Sequence, residues 1–465
     1  MSSRIWTFPQ TTTRPAEGAT TTGDNTMTKF AMRATALAVL ALSQPVFANE
    51  IDDLKAEIAA QKAAEAAQKA RLDALEAKLD AVTSPQAPAP AQAPKAAKSG
   101  FDGLAYTSPT FDIKLYGLID ATIGVIDHAT SAGGHKVGFD ATATNAPWFS
   151  GARWGITGAR KFADEGISAI FKLENEYLIK DGSADDSEAA FGRDAWVGFQ
   201  SGALGKLTFG RQNTLARDFA LTYLDPYGSS TVSYEEGGGT NGNNFKQMIF
   251  YAGSATGTRY DNGVVWKKDF GGGIFAGAGF QFGEVPGDKK RNTTESLAAG
   301  YNGGAFNVSG FLTHSDVEGL SHNAFSVGGN YQFDIVRINA GYFHYTADNP
   351  TGLPSRSDNA YTVSTKIAPP GKMDYELGYQ VMKADNAGVN GSGLVLNAFK
   401  DTTGVAAVAS GNRNTVYGSV FYHFDKSTEV YLAADHQTLT GNYMVATAHG
   451  FKDQNEVGVG VRLRF

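Results

Sequence analysis

Three arginines, Arg153, Arg193 and Arg259, lie in or at the start of segments that alternate apolar and polar residues as β-strands do. A guanidinium group is planar, stays charged at neutral pH and fits carboxylate and phosphate oxygens. If the strands turn all three side chains to one face, the arginines form a cationic wall that would orient polar solutes. The alternative is that each arginine is an ordinary solvated or salt-bridged residue.

A long loop lies between these arginines, at about residues 212–258. It follows the strand-like segment 204–211, which ends at Arg211, and it stops immediately before Arg259. Loops of this length inside a compact domain are usually functional or disordered. Because an arginine stands at each end of this loop, we expect it to be functional.

Residues that could support catalysis are scattered along the chain. It has eight histidines and no cysteine, and no histidine shows metal-ligand spacing or lies in a nucleophile motif. His344, His423 and His436 fall on predicted strands, where a hydrogen-bonding role is favoured over catalysis. The sequence therefore predicts neither an enzyme nor a cofactor or metal site.

Composition narrows the class of protein. The net charge is -7 and no run rich in Lys and Arg occurs, which argues against nucleic-acid binding. The 29 Phe, 19 Tyr and 55 Gly favour strands and tight turns. No segment approaches the roughly eighteen consecutive apolar residues of a membrane-spanning helix. A membrane β-barrel fits this composition, because its strands alternate apolar and polar residues.

A series of strands with a period of two residues could position the arginines. In the segment 111–126, every second residue from Ile113 to Val125 is apolar or small, and the residues between them include Asp112, Lys114 and Asp120. The same pattern predicts sixteen strands, at about residues 111–126, 148–161, 166–178, 191–200, 204–211, 259–269, 274–282, 295–302, 305–314, 323–333, 336–346, 359–368, 373–383, 413–424, 428–438 and 455–465.

The predicted connections alternate in length. Short turns containing Gly, Asp or Pro alternate with long polar loops at about 127–147, 179–190, 212–258, 283–294, 315–322, 347–358, 384–412 and 439–454. This alternation and an even strand count are typical of outer-membrane barrels, whereas a soluble β-sandwich would need fewer long strands. We therefore predict an all-β transmembrane barrel of antiparallel strands. Its lumen would be too wide for side chains alone to fill, so another element must narrow it.

The N-terminal part of the chain changes character several times. Residues 1–26 have no apolar pattern, and residues 27–48 are typical of a secretory signal peptide, with Met27 as the expected true start. Residues 49–82 fit a heptad pattern that predicts a short coiled coil, with a single solvated helix as the alternative. Residues 83–110 contain a Pro/Ala-rich linker, and the barrel would occupy residues 111–465.

The barrel segment resembles the general, non-specific porins of Gram-negative bacteria, especially the β-proteobacterial type. The residues that carry this resemblance keep their order along the chain: Leu115-Tyr-Gly-Leu-Ile-Asp120, Arg153-Trp-Gly-Ile-Thr-Gly158, Phe171-Lys-Leu-Glu174, Arg193-Asp-Ala-Trp-Val-Gly198, Gly205-Lys-Leu-Thr-Phe-Gly-Arg-Gln212, Arg259-Tyr-Asp-Asn-Gly-Val-Val-Trp266 and the terminal Phe465. The coiled coil is not part of the usual general porin.

The resemblance implies a site. In that family the third extracellular loop folds inward and faces an arginine cluster on the barrel wall. This chain has Asp225-Pro-Tyr-Gly228 where many relatives carry Pro-Glu-Phe-Gly at the loop tip. The implied residues of the constriction are Arg153, Arg193 and Arg259 on the wall, and Asp225, Glu235 and Glu236 on the loop.

The resemblance also implies partners. The family forms trimers in the outer membrane, which implies a homotrimer surrounded by outer-membrane lipid and lipopolysaccharide. Arg211 would serve the contact between subunits, and Phe465 would be the signal that the barrel assembly machinery reads. The segment 49–100 would lie in the periplasm and could reach peptidoglycan.

The function predicted from these features is an outer-membrane porin. It would form a water-filled channel for passive diffusion of small hydrophilic solutes and ions, with an arginine-lined constriction. One alternative is a substrate-selective channel for sugars or anions. Another, from a different class, is a structural tether between the outer membrane and peptidoglycan, or an adhesin.

Overall fold

The computed structural model describes residues 60, 62–64, 66–71, 100–102, 104–143, 145–184, 189–224, 252–396 and 404–465. The chain divides into two units, residues 1–93 and 94–465. In the first unit the described residues 60, 62–64 and 66–71 are helical and exposed. The signal peptide, most of the predicted coiled coil and linker, and the predicted loop acids Asp225, Glu235 and Glu236 lie outside the described residues.

The second unit is built from antiparallel strands. Among the described residues one short helix, α1 (Leu215–Ala220), and a 3₁₀ turn (Ala446–Ala448) accompany them. The strands are β1 Gly100–Asp102, β2 Ala105–Thr107, β3 Phe111–Ile126, β4 Lys136–Phe139, β5 Ala152–Phe162, β6 Ile167–Tyr177, β7 Asp194–Ser201, β8 Gly205–Asn213, β9 Arg259–Asp269, β10 Ile274–Gln281, β11 Thr294–Gly303, β12 Phe306–Val317, β13 Leu320–Phe333, β14 Val336–Ala347, β15 Arg356–Ile367, β16 Met373–Val389, β17 Ala407–His423, β18 Thr428–Leu439 and β19 Asp453–Arg464.

Strands β3 and β5–β19 form a closed barrel. Each pairs with the next strand of the series, and β19 pairs with β3 in a register that runs from Glu456 opposite Ile126 to Arg464 opposite Leu118. The prediction of a sixteen-stranded antiparallel barrel is confirmed, and several predicted strand boundaries agree with the structure to within two residues. Within the described part of the chain, no helix is both long and apolar enough to cross a membrane.

The alternation along each strand separates an inner face from an outer face. On β11, for example, Leu297 is 60% exposed and its neighbour Ala298 only 7%. On β10, Ile274 is exposed outward while Phe275 is buried inside the barrel. The outer face therefore presents a band of large apolar side chains, and the inner face carries the polar and charged residues together with an apolar cluster.

One predicted long loop, at 315–322, is wrong. Strands β12 and β13 continue to Val317 and Leu320, so only Glu318 and Gly319 connect them. Their φ angles are 54° and 88°, and positive φ at both central residues is what a tight two-residue hairpin turn requires. The polar residues around this turn had suggested a loop because polarity does not separate loop from strand at the end of a barrel.

Three further regions of the chain differ from the prediction. Strands β16 and β17 extend to Val389 and from Ala407, beyond the predicted limits of 383 and 413, through a register shift between Ala384 and Ala387. Small residues in this stretch weaken the alternation by which strands are recognised. Strand β4 lies within the first predicted loop. The hairpin β1–β2 lies in the segment predicted as linker, and β2 pairs with the first residues of β3.

Candidate functional site

The start of the long loop turns into the barrel immediately after β8. The β8–β9 ladder has an irregularity between Gly210 and Gln212, and Gly210 has a φ of 125°. Thr214 then caps α1, because its side-chain oxygen accepts a hydrogen bond from the backbone N–H of Arg217 at 3.2 Å. The sequence Asn213-Thr214 therefore ends the strand and begins the helix within two residues.

Helix α1 and the residues after it pack against the inner wall. Leu215, Phe219 and Leu224 are fully buried in an apolar cluster that includes Phe311 and Phe343 of β12 and β14. Backbone carbonyls of the loop also accept hydrogen bonds from side chains of the wall. Ser309 Oγ donates to Phe219 O and Asn330 Nδ2 donates to Thr222 O, both at 2.6 Å. Residues 214–224 are thus held inside the barrel by apolar and polar contacts together.

An internal ion pair fixes the orientation of α1. The carboxylate of Asp218 pairs with Lys267 of β9 and also accepts a hydrogen bond from Asn213 Nδ2 at 3.0 Å. Both members of the pair are buried. A buried charge without its partner is strongly destabilising, so this pair specifies which side of the helix faces β9.

Beside α1 lies a cluster of charged residues on the wall formed by β5, β6 and β7. Arg193 precedes β7 and forms ion pairs with both Glu174 and Glu176 of β6. Arg153 on β5 stands directly opposite Glu176 in the β5–β6 ladder, so their Cβ atoms are about 5 Å apart. The two carboxylates of β6 therefore lie next to arginines on both sides, Arg153 of β5 and Arg193 just before β7.

Arg259 occupies the start of β9 with fewer partners. It is 8% exposed, and one guanidinium nitrogen donates a long hydrogen bond of 3.4 Å to Thr258 Oγ1. Within the described part of the chain, its Nε and Nη2 have no hydrogen-bond acceptor. Unpaired donors on a buried cation are costly, so Arg259 is a group that gains from an incoming acceptor.

A fourth arginine comes from the loop itself. Arg217 of α1 is 6% exposed, and it interacts electrostatically with Arg259, Arg193, Arg153 and Glu176. Burial, together with the Arg259 and Arg193 guanidinium groups, lowers the pKa of Arg217 to about 9. Arg217 therefore remains cationic at neutral pH and adds to the positive charge of the wall.

Lys172 completes the cluster on the inner face of β6. Its Nζ lies 3.1 Å from Asp194 Oδ2 and 3.4 Å from Glu174 Oε2. Tyr116 of β3 donates a hydrogen bond of 2.6 Å to Glu174 Oε2. Glu174 is thus shared among three strands, which holds the charged wall as one network. We call Arg153, Arg193, Arg217 and Arg259 the arginine cluster.

The structure brings together the three arginines that the sequence singled out. It adds residues that the sequence analysis did not name as site residues: Arg217, Glu174, Glu176, Lys172 and Asp194. A signal for the β6 acids was present, since strand alternation puts Glu174 and Glu176 on the face opposite Leu173. Thr214, a favoured N-cap residue, was a signal for the helix that carries Arg217, but not for the position of Arg217 in the lumen.

Arg211 belongs to a different face. Arg211 lies on the same outer face of β8 as Leu207 and the exposed Phe209, and it pairs there with Asp261 of β9. Its Nε also donates to Gly192 O at 2.6 Å. The Arg211 and Asp261 side chains are 27% and 37% exposed, respectively. Arg211 therefore lies on the outer face of the barrel, outside the lumen.

Other chemistry has little support among the described residues. No group of three or more His, Asp or Glu side chains there is arranged to hold a metal ion. The charged network is made of arginine, lysine and carboxylate side chains that pair with each other. Such an arrangement can attract, orient and pass charged solutes.

The chain matches the family model described as Gram-negative porin over residues 82–442. An outer membrane porin protein of Bordetella pertussis is 27% identical over 281 residues, which cover 54% of this chain and 68% of that protein.

Solved structures share the fold at low sequence identity. An anion-selective porin from Comamonas acidovorans has a TM-score of 0.59 and 17% identity, covering 76% of this chain and 100% of that one. The outer-membrane-expressed OmpT of Vibrio cholerae has a TM-score of 0.52 and 17% identity, covering 77% and 99% of the two chains. The outer membrane channel DcaP of Acinetobacter baumannii has a TM-score of 0.51 and 14% identity, covering 79% and 100%.

Proposed function

The chain belongs to the Gram-negative porin family, and we propose that its channel passes small hydrophilic solutes with a preference for anions. Family membership makes it an outer-membrane porin, a passive channel rather than an enzyme. The preference for anions is the finer part of the proposal, and it depends on the charges that line the lumen.

The observation that carries this proposal is the excess of cations in the charged wall. Among the described residues, the four guanidinium groups of the arginine cluster share Glu174 and Glu176, while Lys172 offsets Asp194. Arg259 also retains donors without acceptors there. Charges in a narrow channel with low-dielectric walls act strongly on passing ions, so the surplus favours anions over cations.

The remainder of the loop supplies the opposite charge in this proposal. Asp225 would face the arginine cluster across the narrowest part of the channel, with Glu235 or Glu236 as its substitute, so that a positive surplus remains there. Opposed charges across a constriction produce a transverse field, which orients dipolar solutes and disfavours apolar ones. The entry of residues 214–224 into the lumen supports this arrangement, because it directs the loop inward.

The proposal is tested by neutralising cluster arginines other than Arg193, which forms the ion pairs with Glu174 and Glu176. In planar bilayers under a salt gradient, Arg217→Gln and Arg259→Gln should each reduce the permeability ratio of chloride to potassium, and together they should reduce it further. Arg291→Gln is the matched control, because Arg291 lies in an exposed pair with Glu318 outside the strands. Reversal potentials that do not differ from those of the control would contradict the proposed anion preference.

We also propose that three chains associate through the outer face near Arg211. An ion pair that faces hydrocarbon on a barrel wall is costly, and Arg211 and Asp261 form such a pair on the outer side of β8 and β9. A neighbouring subunit would cover it and exclude lipid. The rest of the apolar outer band would contact outer-membrane lipid and lipopolysaccharide.

In the proposed assembly the segment 49–100 lies in the periplasm. The heptads at 49–82 would form a three-stranded coil whose symmetry matches the trimer, and this coil could reach peptidoglycan. Deletion of residues 49–99 should lower the temperature at which trimers dissociate in detergent, because the coil links three chains. An unchanged dissociation temperature would remove this support for a trimeric coil.

A further inference from the structure

Tyr223, near the end of the described part of the loop, lies on a flat patch of the inner wall. The patch consists of Gly328 on β13 and Gly341 on β14, which stand directly opposite each other in the β13–β14 ladder. The ring of Tyr223 is fully buried against them. The ring of Tyr223 therefore packs where two neighbouring strands both lack a side chain. We call this patch, Gly328 and Gly341, the seat.

The fit leaves no room for a larger residue at either glycine. A Cβ atom added to Gly328 or to Gly341 would come closer than 3.0 Å to ring atoms of Tyr223. Neither glycine has a positive φ, so the backbone conformation does not require glycine there. At Gly341 the space that the Tyr223 ring occupies is what demands glycine; at Gly328 a Cβ atom would also come within 2.6 Å of the Ala340 carbonyl oxygen.

Polar contacts surround the seat. The hydroxyl of Tyr223 is hydrogen-bonded to the hydroxyl of Ser326, on the same inner face of β13. The carbonyls of Thr222 and Leu224, on either side of Tyr223, accept hydrogen bonds from Asn330 Nδ2 at 2.6 Å and Gln380 Nε2 at 3.4 Å. The wall thus holds both the ring and the adjoining backbone.

We propose that Tyr223 is the positioning residue of the loop, and that Gly328 and Gly341 form its receptor on the barrel wall. The seated ring holds the residues around Tyr223 against the β13–β14 side of the lumen, while Arg217, earlier in the loop, lies beside the arginine cluster's wall residues. The separation left between that side and the arginine cluster then sets the width of the channel. This last step rests on the proposed role of the loop as the constriction.

The test is to fill the seat from the wall side. Gly341→Ala should displace Tyr223 while leaving the loop sequence unchanged, and Gly328→Ala should do the same while also crowding the Ala340 carbonyl oxygen of β14. Because the chain has no cysteine, Thr222→Cys introduces a single thiol at a fully buried position beside the seat. With this reporter, either alanine variant should raise the rate of labelling by a water-soluble maleimide roughly ten- to hundredfold, as expected when a buried contact is overpacked.

Three controls separate positioning from general damage. Gly138→Ala is the matched substitution, because a Cβ at Gly138, on β4, meets no atom within 4 Å. Tyr223→Phe keeps the ring and should label slowly, whereas Tyr223→Ala should label as fast as the glycine variants. Heat-modifiable migration in electrophoresis shows whether each barrel has folded.

If the cysteine at Thr222→Cys is labelled as slowly in both folded glycine variants as in Gly138→Ala, Tyr223 is not positioned by Gly328 and Gly341. This result would leave the proposed anion preference unaffected. Faster labelling accompanied by altered single-channel conductance would support both the seat and the constricting role of the loop. Faster labelling with unchanged conductance would uphold the seat and contradict the constricting role.

Discussion

Arg193 differs from the other residues of the arginine cluster because it is paired with two carboxylates at once. Glu174 and Glu176 both bind its guanidinium group, and Arg193 and Glu174 are almost fully buried. Arg259, by contrast, has nitrogen donors that meet no acceptor among the described residues. We therefore propose different roles for the arginines of one cluster, with Arg193 neutralising the wall acids and Arg259 interacting with incoming solutes.

Replacing Arg193 should have a larger effect than replacing Arg259. Arg193→Ala removes one cation and also exposes the charges of Glu174 and Glu176, so the salt-gradient reversal potential should shift strongly towards cation permeation. Breaking a buried ion pair typically costs about 3–5 kcal/mol of stability, so the variant should also melt at a lower temperature. Adding Glu174→Gln and Glu176→Gln should restore most of the anion permeation, and failure to do so would argue against this division of roles.

At the residue scale, sequence identified the wall arginines but not their full surroundings. Arg153, Arg193 and Arg259 were found from their places on strands. Arg217 was missed because its position depends on how the loop turns after Gly210, and that turn is decided by packing against β12 and β14. Side-chain pairing across the lumen joins residues far apart in sequence, and no local pattern encodes it.

At the scale of elements, the seam between β3 and β19 closes the barrel. Phe465 donates its backbone N–H to Gly117 O and Gly117 donates to Phe465 O, both at 3.0 Å. The ring of Phe465 lies over Gly117, where a Cβ would collide with it. The terminal residue thus takes part in closure through both its backbone and its side chain.

This seam yields a prediction for assembly. Phe465→Ala should reduce the fraction of heat-modifiable, folded protein recovered in outer membranes, because the aromatic end is the proposed assembly signal. Deletion of Phe465 should reduce it further, since it also removes two hydrogen bonds worth about 0.5–1.5 kcal/mol each. Phe424→Ala, which removes an aromatic ring that is 53% exposed beside another strand end, is the control and should assemble normally.

Equal assembly of Phe465→Ala and the Phe424→Ala control would show that the side chain carries no such signal.

The strands themselves were predictable, because alternation over ten or more residues is imposed by an apolar outside and a polar inside. The positions at which the strands end were less predictable from the sequence. The turn at Glu318-Gly319 and the long hairpin of β16 and β17 are set by backbone conformation and cross-strand pairing, which hydrophobicity does not report.

At the scale of the whole molecule, the barrel combines an apolar outer band with a lumen whose two sides differ. One side carries the arginine cluster, contributed by β5, β9, α1 and the residue before β7, with its acids on β6, and the other holds the apolar contacts of the loop with β12 and β14. A solute that crosses between them meets fixed charges on one side and a seated loop on the other. In the proposed mechanism, the ion selectivity and the width of the channel therefore depend on different parts of the barrel.

The surplus of positive charge at the arginine cluster should make this porin prefer anions. The most direct test is the zero-current potential of the wild-type protein in a planar bilayer between unequal KCl solutions, because the two ions diffuse at nearly equal rates in water. An anion preference gives a potential with the sign set by chloride diffusion, and neutralising both Arg217 and Arg259 should reduce it. A potential with the sign set by potassium would contradict it.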